Sequence, residues 1–227
     1  MNQSKKNSDA LTKRQRKYIR RKDWLDRILA AVGLILLSPI FALIAIAVKI
    51  EDGWKAPVFF QQKRVGKGKS YFMLYKYRSM KLDTPHDVPT HLLENPEQYI
   101  TRVGRFLRKS SLDELPQLIN IVKGELAVCG PRPALWNQYD LIEERDKYGA
   151  NDIKPGLTGW AQINGRDELE IPEKAKLDGY YREHIGFSMD VKCFFGTFRS
   201  VLKSEGVVEG GTGELKKQEQ SEQKKAV

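Results

Sequence analysis

The sequence predicts an α+β protein: a helix-break-helix membrane anchor, then a small, mostly helical domain with a short β-hairpin and interfacial amphipathic helices. Three observations predict it. Ile28–Val48 is uncharged and broken by Ser38-Pro39. Two β-rich runs flank Gly66-Lys67-Gly68-Lys69, a hairpin signal. The remaining periodic segments repeat at helical spacing.

The apolar run holds 21 residues, and a straight helix of that length reaches about 31 Å, enough to span the hydrocarbon. A single crossing helix with a tolerated proline is one reading. The other is a re-entrant segment, because Pro39 has no N–H for the Ile35 carbonyl and its ring crowds that turn. Ser38 offers a hydroxyl to the freed backbone. Each half reaches only about 15–17 Å as a helix.

Charge favours the re-entrant reading. Residues 1–22 carry Lys5, Lys6, Lys13, Arg14, Arg16, Lys17, Arg20, Arg21 and Lys22 against Asp9, or +8 of the total +10. Such a tail stays in the cytoplasm. Lys49, Lys55, Lys63, Arg64, Lys67 and Lys69 follow the apolar run, so both flanks read as cytoplasmic. A signal peptide is disfavoured: its apolar region is shorter and no small-residue cleavage site follows. The division expected is a disordered basic tail (1–22), the anchor (23–50), one catalytic-sized domain (51–207) and a disordered tail (208–227) rich in Gly, Glu, Lys and Gln. A basic tail beside an apolar anchor suits anionic lipid. Nucleic acid is the competing partner, but no recognition motif accompanies the charge.

Within the domain, Val58–Arg64 and Tyr71–Met80 read as strands. Alternation puts Phe72, Leu74, Lys76 and Arg78 on one face, the two cations meeting either solvent or a phosphate. Gly68-Lys69-Ser70 fails as a phosphate-binding loop: Lys63 stands where the pattern needs Gly, and the context is strand to strand. His86 and His91 lie in a polar loop without metal-ligand spacing. Ser111-x-x-Glu114 is a capping-box signature, with Leu115, Leu118, Ile119 and Val122 at helical spacing and Gly124 as the stop. Phe187, Val191, Phe194, Phe195, Phe198, Val201 and Leu202 form a stripe at helical spacing. It reads as core or, given the anchor, as an interfacial helix. Cys129 and Cys193, without a CxxC pair, are expected as buried thiols in a reducing compartment.

Three constellations suit phosphate chemistry. Asp113-Glu114 follows Arg105, Arg108 and Lys109. A helix N-terminus favours an ionised Asp113, which serves either a local ion-pair network or nucleophilic attack at phosphorus. Glu114 is either the capping partner or a ligand for Mg²⁺. In Gly130-Pro131-Arg132-Pro133 two prolines fix the backbone around one guanidinium. Pro155–Arg166 packs glycines, amides, Trp160 and Arg166 together, suiting close backbone approach, base stacking and phosphate contact. The bland alternatives are a turn with a solvent-facing arginine and a tight loop with a core tryptophan.

These motifs, with the Ser-Pro break and the strand Tyr75–Met80, occur in one order over residues 24–207. In that combination the chain resembles the monotopic phosphoglycosyl transferases, the bacterial sugar transferases that begin polysaccharide and glycoconjugate assembly. The resemblance implies transfer of a sugar 1-phosphate from a UDP-sugar to a polyprenyl phosphate such as undecaprenyl phosphate, with release of UMP. It implies Asp113 as nucleophile in a covalent phosphosugar intermediate and Glu114 as a Mg²⁺ ligand. Lys76, Arg108, Arg132, Arg166, Asp178 and Asp190 match the family's other active-site positions, and Ser38-Pro39 matches its helix break. The location implied is the cytoplasmic face of the bacterial inner membrane. A non-enzymatic, membrane-anchored interaction protein is the alternative. The sugar, the pathway and any homo-oligomer stay open.

Overall fold

A computed structural model describes residues 11–85, 93, 95–165 and 169–203. His86, His91, Arg166 and the C-terminal extension lie outside the described residues.

The first helix, α1, runs Lys13–Leu36. Its start is a capping box that was not anticipated: Gln15 N–H donates to Thr12 Oγ1, and Thr12 N–H donates back to Gln15 Oε1 at 2.8 Å. An unstructured tail through residue 22 is therefore corrected, since residues 13–22 are the first turns of this helix. They order because Leu11, Tyr18 and Ile19 pack on a core of Cys129, Ile153, Tyr181, Ile185, Met189 and Cys193. Lys22 is buried there too.

Helix α1 ends at the expected break, and α2 runs Ser38–Asp52. The two are bent by 63°. Proline cannot serve the Ile35 carbonyl, and the Ser38 hydroxyl donates to it instead at 2.8 Å. No single described helix is long and apolar enough to cross a membrane, but the bent pair together passes that test. Ala30, Ile44 and Val48 face the protein, whereas Ile28, Leu29, Ile35, Leu36, Leu43 and Ile50 point outward.

The hairpin forms where the sequence predicts it. Strands β1 (Phe59–Val65) and β2 (Tyr71–Tyr77) pair antiparallel from Phe59 opposite Tyr77 to Val65 opposite Tyr71. Gly68 takes the positive φ that the turn requires. Phe72 and Leu74 meet Ala30, Ile121 and Leu126, and Tyr77 joins Ile44, Val48 and Leu107. The hairpin thus packs against both helices of the bent pair.

Next come α3 (Arg102–Lys109), a 3-10 turn at Leu112–Glu114, and α4 (Gln117–Lys123), which ends at Gly124 with φ 80°. The capping box expected at Ser111 is absent. Ser111 takes a left-handed conformation (φ 56°), its side chain makes no cap bond, and α4 starts after Pro116. The buried face of α4 is Gln117, Asn120 and Ile121, while Val122 is exposed. Asn120 stitches the helix to β2, accepting from Tyr75 N–H and donating to the Met73 carbonyl.

A second sheet escaped the sequence reading. Strands β3 (Ala127–Cys129) and β4 (Gly156–Thr158) pair in parallel, each too short to show a period. The glycines around them let backbone meet backbone: a Cβ on Gly159 would stand 2.0 Å from the Gly130 carbonyl oxygen. Helices α5 (Tyr139–Asp146), α6 (Trp160–Ile163), α7 (Ile171–Glu183) and α8 (Phe187–Lys203) complete the domain. On α8 Met189 and Cys193 are buried, whereas Phe187 and Phe195 of the predicted stripe point outward, 74% and 66% exposed. Core packing is excluded for those two aromatics. Both cysteines are buried and unpaired.

Gly159→Ala is expected to destabilise the fold by at least about 2 kcal/mol through overpacking. A denaturant midpoint indistinguishable from the parent contradicts the close β3–β4 packing.

Candidate active site

Asp113 and Glu114 share the short turn between α3 and α4, where both carboxylates are carried into the protein. Asp113 is 6% exposed. Such a pair persists only if cations meet it. Lys76, from the inner face of β2, donates to Glu114 Oε1 at 2.8 Å and lies 3.8 Å from Asp113 Oδ2. Arg132, from the doubly proline-flanked loop after β3, donates to the same Glu114 oxygen at 2.8 Å. Arg108, near the end of α3, sits against Met80 and contributes positive potential at Asp113.

The two carboxyls are driven apart electrostatically. Burial pushes the Asp113 carboxyl above its ordinary range; Lys76, Arg108 and Arg132 oppose this and the Glu114 charge adds to it. Burial would raise Glu114 as well, but its direct bonds to Arg132 and Lys76 outweigh that and hold it well below its ordinary range. A helix dipole is not what governs Asp113, because its turn has three residues. Glu114 is the fixed anion, and Asp113 is the poised, poorly compensated one.

The site can be tested for a divalent cation. Among the described residues no cluster of three or more His, Cys, Asp or Glu is placed to hold a metal. Two adjacent carboxylates do fit Mg²⁺ in its usual enzymatic setting, where one or two carboxylates hold the ion and substrate phosphates and water complete its shell. Glu114 is the residue that would hold it, with Asp113 beside it facing the same phosphates.

Lys76, Arg108, Arg132, Asp113 and Glu114 are thus brought together. Asp178 and Asp190 are not. Asp178, fully buried on α7, accepts from Arg145 of α5 through Nε at 2.8 Å and Nη2 at 2.6 Å. Asp190, on α8, accepts from Tyr18 at 2.8 Å and Tyr181 at 2.5 Å and lies 3.1 Å from Lys22 Nζ. Each neutralises a buried cation that joins elements of the fold. Arg78 donates to the Pro57 carbonyl at 3.0 Å. Trp160 packs against Tyr180, ring centroids 5.7 Å apart.

Asp26 and Glu51 were missed. The i,i+4 pair Lys22–Asp26, at 2.9 Å and buried, was a usable signal: opposite charges on one helix face at the mouth of an apolar run. Glu51, which bonds the start of α3, had no local signal.

Residues 17–204 match the bacterial sugar transferase family. The chain is 41% identical over 179 residues to an uncharacterised sugar transferase, EpsL, of Bacillus subtilis, covering 78% of this chain and 86% of that one. It is 40% identical over 180 residues to the UDP-glucose:undecaprenyl-phosphate glucose-1-phosphate transferase of Escherichia coli, covering 76% of this chain but only 38% of that longer protein. The exopolysaccharide production protein ExoY of Rhizobium meliloti is 34% identical over 195 residues, 80% of this chain and 85% of its own. The chain belongs to the bacterial sugar transferase family and is an enzyme, a phosphoglycosyl transferase.

The carboxyl pair predicts opposite pH signatures. A folded-state pKa raised at Asp113 means that ionising it costs stability, a cost present at neutral pH and gone below the ordinary carboxylate range. Asp113→Asn should therefore be at least as stable as the parent at pH 7, with the difference vanishing in acid. Glu114→Gln should lose about 1–3 kcal/mol at pH 7 by removing the charge that the half-buried Lys76 and Arg132 share, a loss that fades only as pH falls through the lowered Glu114 value. Urea midpoints measured from pH 3 to 8 check both signs. Asp178→Ala should cost about 3–5 kcal/mol, and a smaller loss would argue against a buried ion pair with Arg145.

Proposed function

We propose that this enzyme transfers a sugar 1-phosphate from a UDP-sugar to a polyprenyl phosphate, undecaprenyl phosphate in bacteria, releasing UMP, through a covalent intermediate on Asp113. The observation that carries this reading is the poised carboxylate of Asp113, buried beside an anionic Glu114 that Lys76 and Arg132 hold in place. Similarity to transferases named for UDP-glucose and undecaprenyl phosphate supports the substrate classes.

The chemistry follows from the arrangement. A carboxylate oxygen of Asp113 attacks the sugar-linked phosphorus, the bond from that phosphorus to the bridging oxygen breaks, and UMP departs with the electron pair. An oxygen of the polyprenyl phosphate then attacks the same phosphorus and expels Asp113 as a carboxylate. Splitting the transfer keeps the anionic acceptor and the UMP leaving group out of one transition state. Burial sharpens the nucleophile by denying Asp113 a full hydration shell. Lys76, Arg108 and Arg132 place fixed positive charge where phosphoryl oxygens gain negative charge. Glu114 would help hold Mg²⁺, which would supply Lewis-acid stabilisation of the diphosphate. Arg166 extends the phosphate contacts by family resemblance.

The bent pair α1–α2 is the membrane anchor in this reading, entering and leaving by the cytoplasmic face of the inner membrane. Its outward apolar side chains supply the lipid contact, and the exposed Phe187 and Phe195 of α8 extend that contact at the headgroup level. Such an anchor sets residues 51–207 where a lipid-borne phosphate and a cytosolic nucleotide sugar meet. No nucleic acid takes part. The pathway is initiation of a bacterial polysaccharide or glycoconjugate such as capsule, exopolysaccharide or O-antigen.

UMP release from a panel of UDP-sugars, with polyprenyl phosphate and Mg²⁺, tests the activity. Asp113→Asn should lose at least about 10³-fold in kcat while staying folded and membrane-bound. Near-parental turnover by that variant excludes the nucleophile. Chelation with EDTA should abolish turnover, and added Mg²⁺ should restore it; persistence in EDTA refutes the metal.

A further inference from the structure

Each half of the broken anchor carries one carboxylate that accepts from backbone N–H groups of a segment bearing active-site side chains. On α1, Asp26 Oδ2 accepts from Val128 N–H at 3.0 Å. Val128 is the middle residue of β3, and that strand runs directly into the loop that presents Arg132. On α2, Glu51 accepts from Arg102 N–H through Oε1 at 2.7 Å and from Val103 N–H through Oε2 at 2.8 Å. Those are the first N–H groups of α3, the helix that carries Arg108 and leads to Asp113.

Both clasps are built firmly. Asp26 is buried and paired with Lys22, which reaches on to Asp190. The Tyr181 hydroxyl, which bonds Asp190, also lies 2.9 Å from the Cys129 carbonyl of β3. Beside Glu51, Thr101 caps α3 by accepting from Gly104 N–H at 2.9 Å, and Glu51 places its negative charge at the positive end of the helix. None of the recorded bonds of Asp26 or Glu51 reaches Asp113, Glu114, Lys76 or Arg132.

We propose that Asp26 and Glu51 are positioning residues: one fixes the Arg132 loop to the first half of the anchor, the other fixes the Asp113–Glu114 turn to the second half, and the bend at Ser38-Pro39 sets the separation of the two. The 2.8 Å bond between Arg132 and Glu114 closes this loop of contacts. Because each clasp ties one active-site segment to one of these helices, a change in their angle moves one segment against the other. A misplacement of about 1 Å suffices to lower a rate about 100-fold. The inference rests on the Asp113 site proposed above.

Glu51 gives the cleaner test, since it is solvent-exposed and its loss removes only a helix cap. In the full chain reconstituted into phospholipid vesicles with UDP-sugar, polyprenyl phosphate and Mg²⁺, Glu51→Ala should lower kcat about tenfold with KM for the UDP-sugar held within about twofold. Glu51→Gln, which keeps one accepting oxygen, should recover part of that loss. Combining Glu51→Ala with Pro39→Ala should give less than the product of the separate losses, because both loosen one linkage. An unchanged kcat in Glu51→Ala, a loss matched by loss of folded protein, or fully multiplicative effects would overturn the inference. Asp113→Asn run alongside separates the failures. Turnover in that variant sinks the nucleophile, whereas an inactive Asp113→Asn beside an unimpaired Glu51→Ala sinks the clasps alone.

Discussion

Two neighbouring carboxylates cannot both sit ionised in a buried turn unless positive charge is brought to them from elsewhere in the chain. Here Lys76 arrives on a strand, Arg108 on a helix and Arg132 on a proline-fixed loop, and all contribute to the potential at Asp113. Lys76 and Arg132 each bond Glu114 at 2.8 Å, whereas Lys76 stands 3.8 Å from Asp113. The result is an asymmetric pair: a neutralised, immobile Glu114 beside a buried Asp113 whose charge is left unpaired by any short bond. Most of the domain's architecture serves that convergence. The hairpin delivers Lys76, the β3–β4 pair steadies the loop bearing Arg132, and α3 delivers both Arg108 and the turn itself.

The same logic explains the bent anchor. Proline opens the Ile35 carbonyl, serine closes it, and the chain turns by 63° at no cost in orphaned backbone at that atom. The turn lets one apolar segment pack both halves against the hairpin: α1 through Ala30 and α2 through Ile44 and Val48. A straight helix could offer the domain only one of those contacts. The apolar bent pair and the candidate site are therefore linked through the same helices.

Much of this was legible in the sequence, for identifiable reasons. The break was readable because proline's missing N–H has a single consequence at residue i−4. The hairpin was readable from a Gly-rich turn between period-two runs, and alternation correctly put Lys76 on the inner face with Phe72 and Leu74. The capping box at Ser111 was misread because Glu114 had a stronger option: two cations distant in sequence outcompete a local backbone N–H. The start of α1 was misread because clustered positive charge looks solvated, yet Lys22 finds Asp26 and Asp190 and is buried with them. Asp178 and Asp190 were placed at the site by resemblance alone. Their partners, Arg145 and Lys22, lie on elements that only the folded chain brings close. The β3–β4 pair was invisible because three-residue strands carry no period, and the glycines that mark it resemble those of a ligand loop.

The most direct test of the central claim is intact and peptide mass spectrometry of the membrane-reconstituted enzyme, quenched in acid after incubation with a UDP-sugar and Mg²⁺ but no polyprenyl phosphate. The account predicts a sugar-phosphate adduct on the peptide containing Asp113, formed with release of UMP, absent from Asp113→Asn and discharged on adding polyprenyl phosphate. Full turnover in an enzyme that never carries the adduct, or an adduct on a different residue, would contradict it.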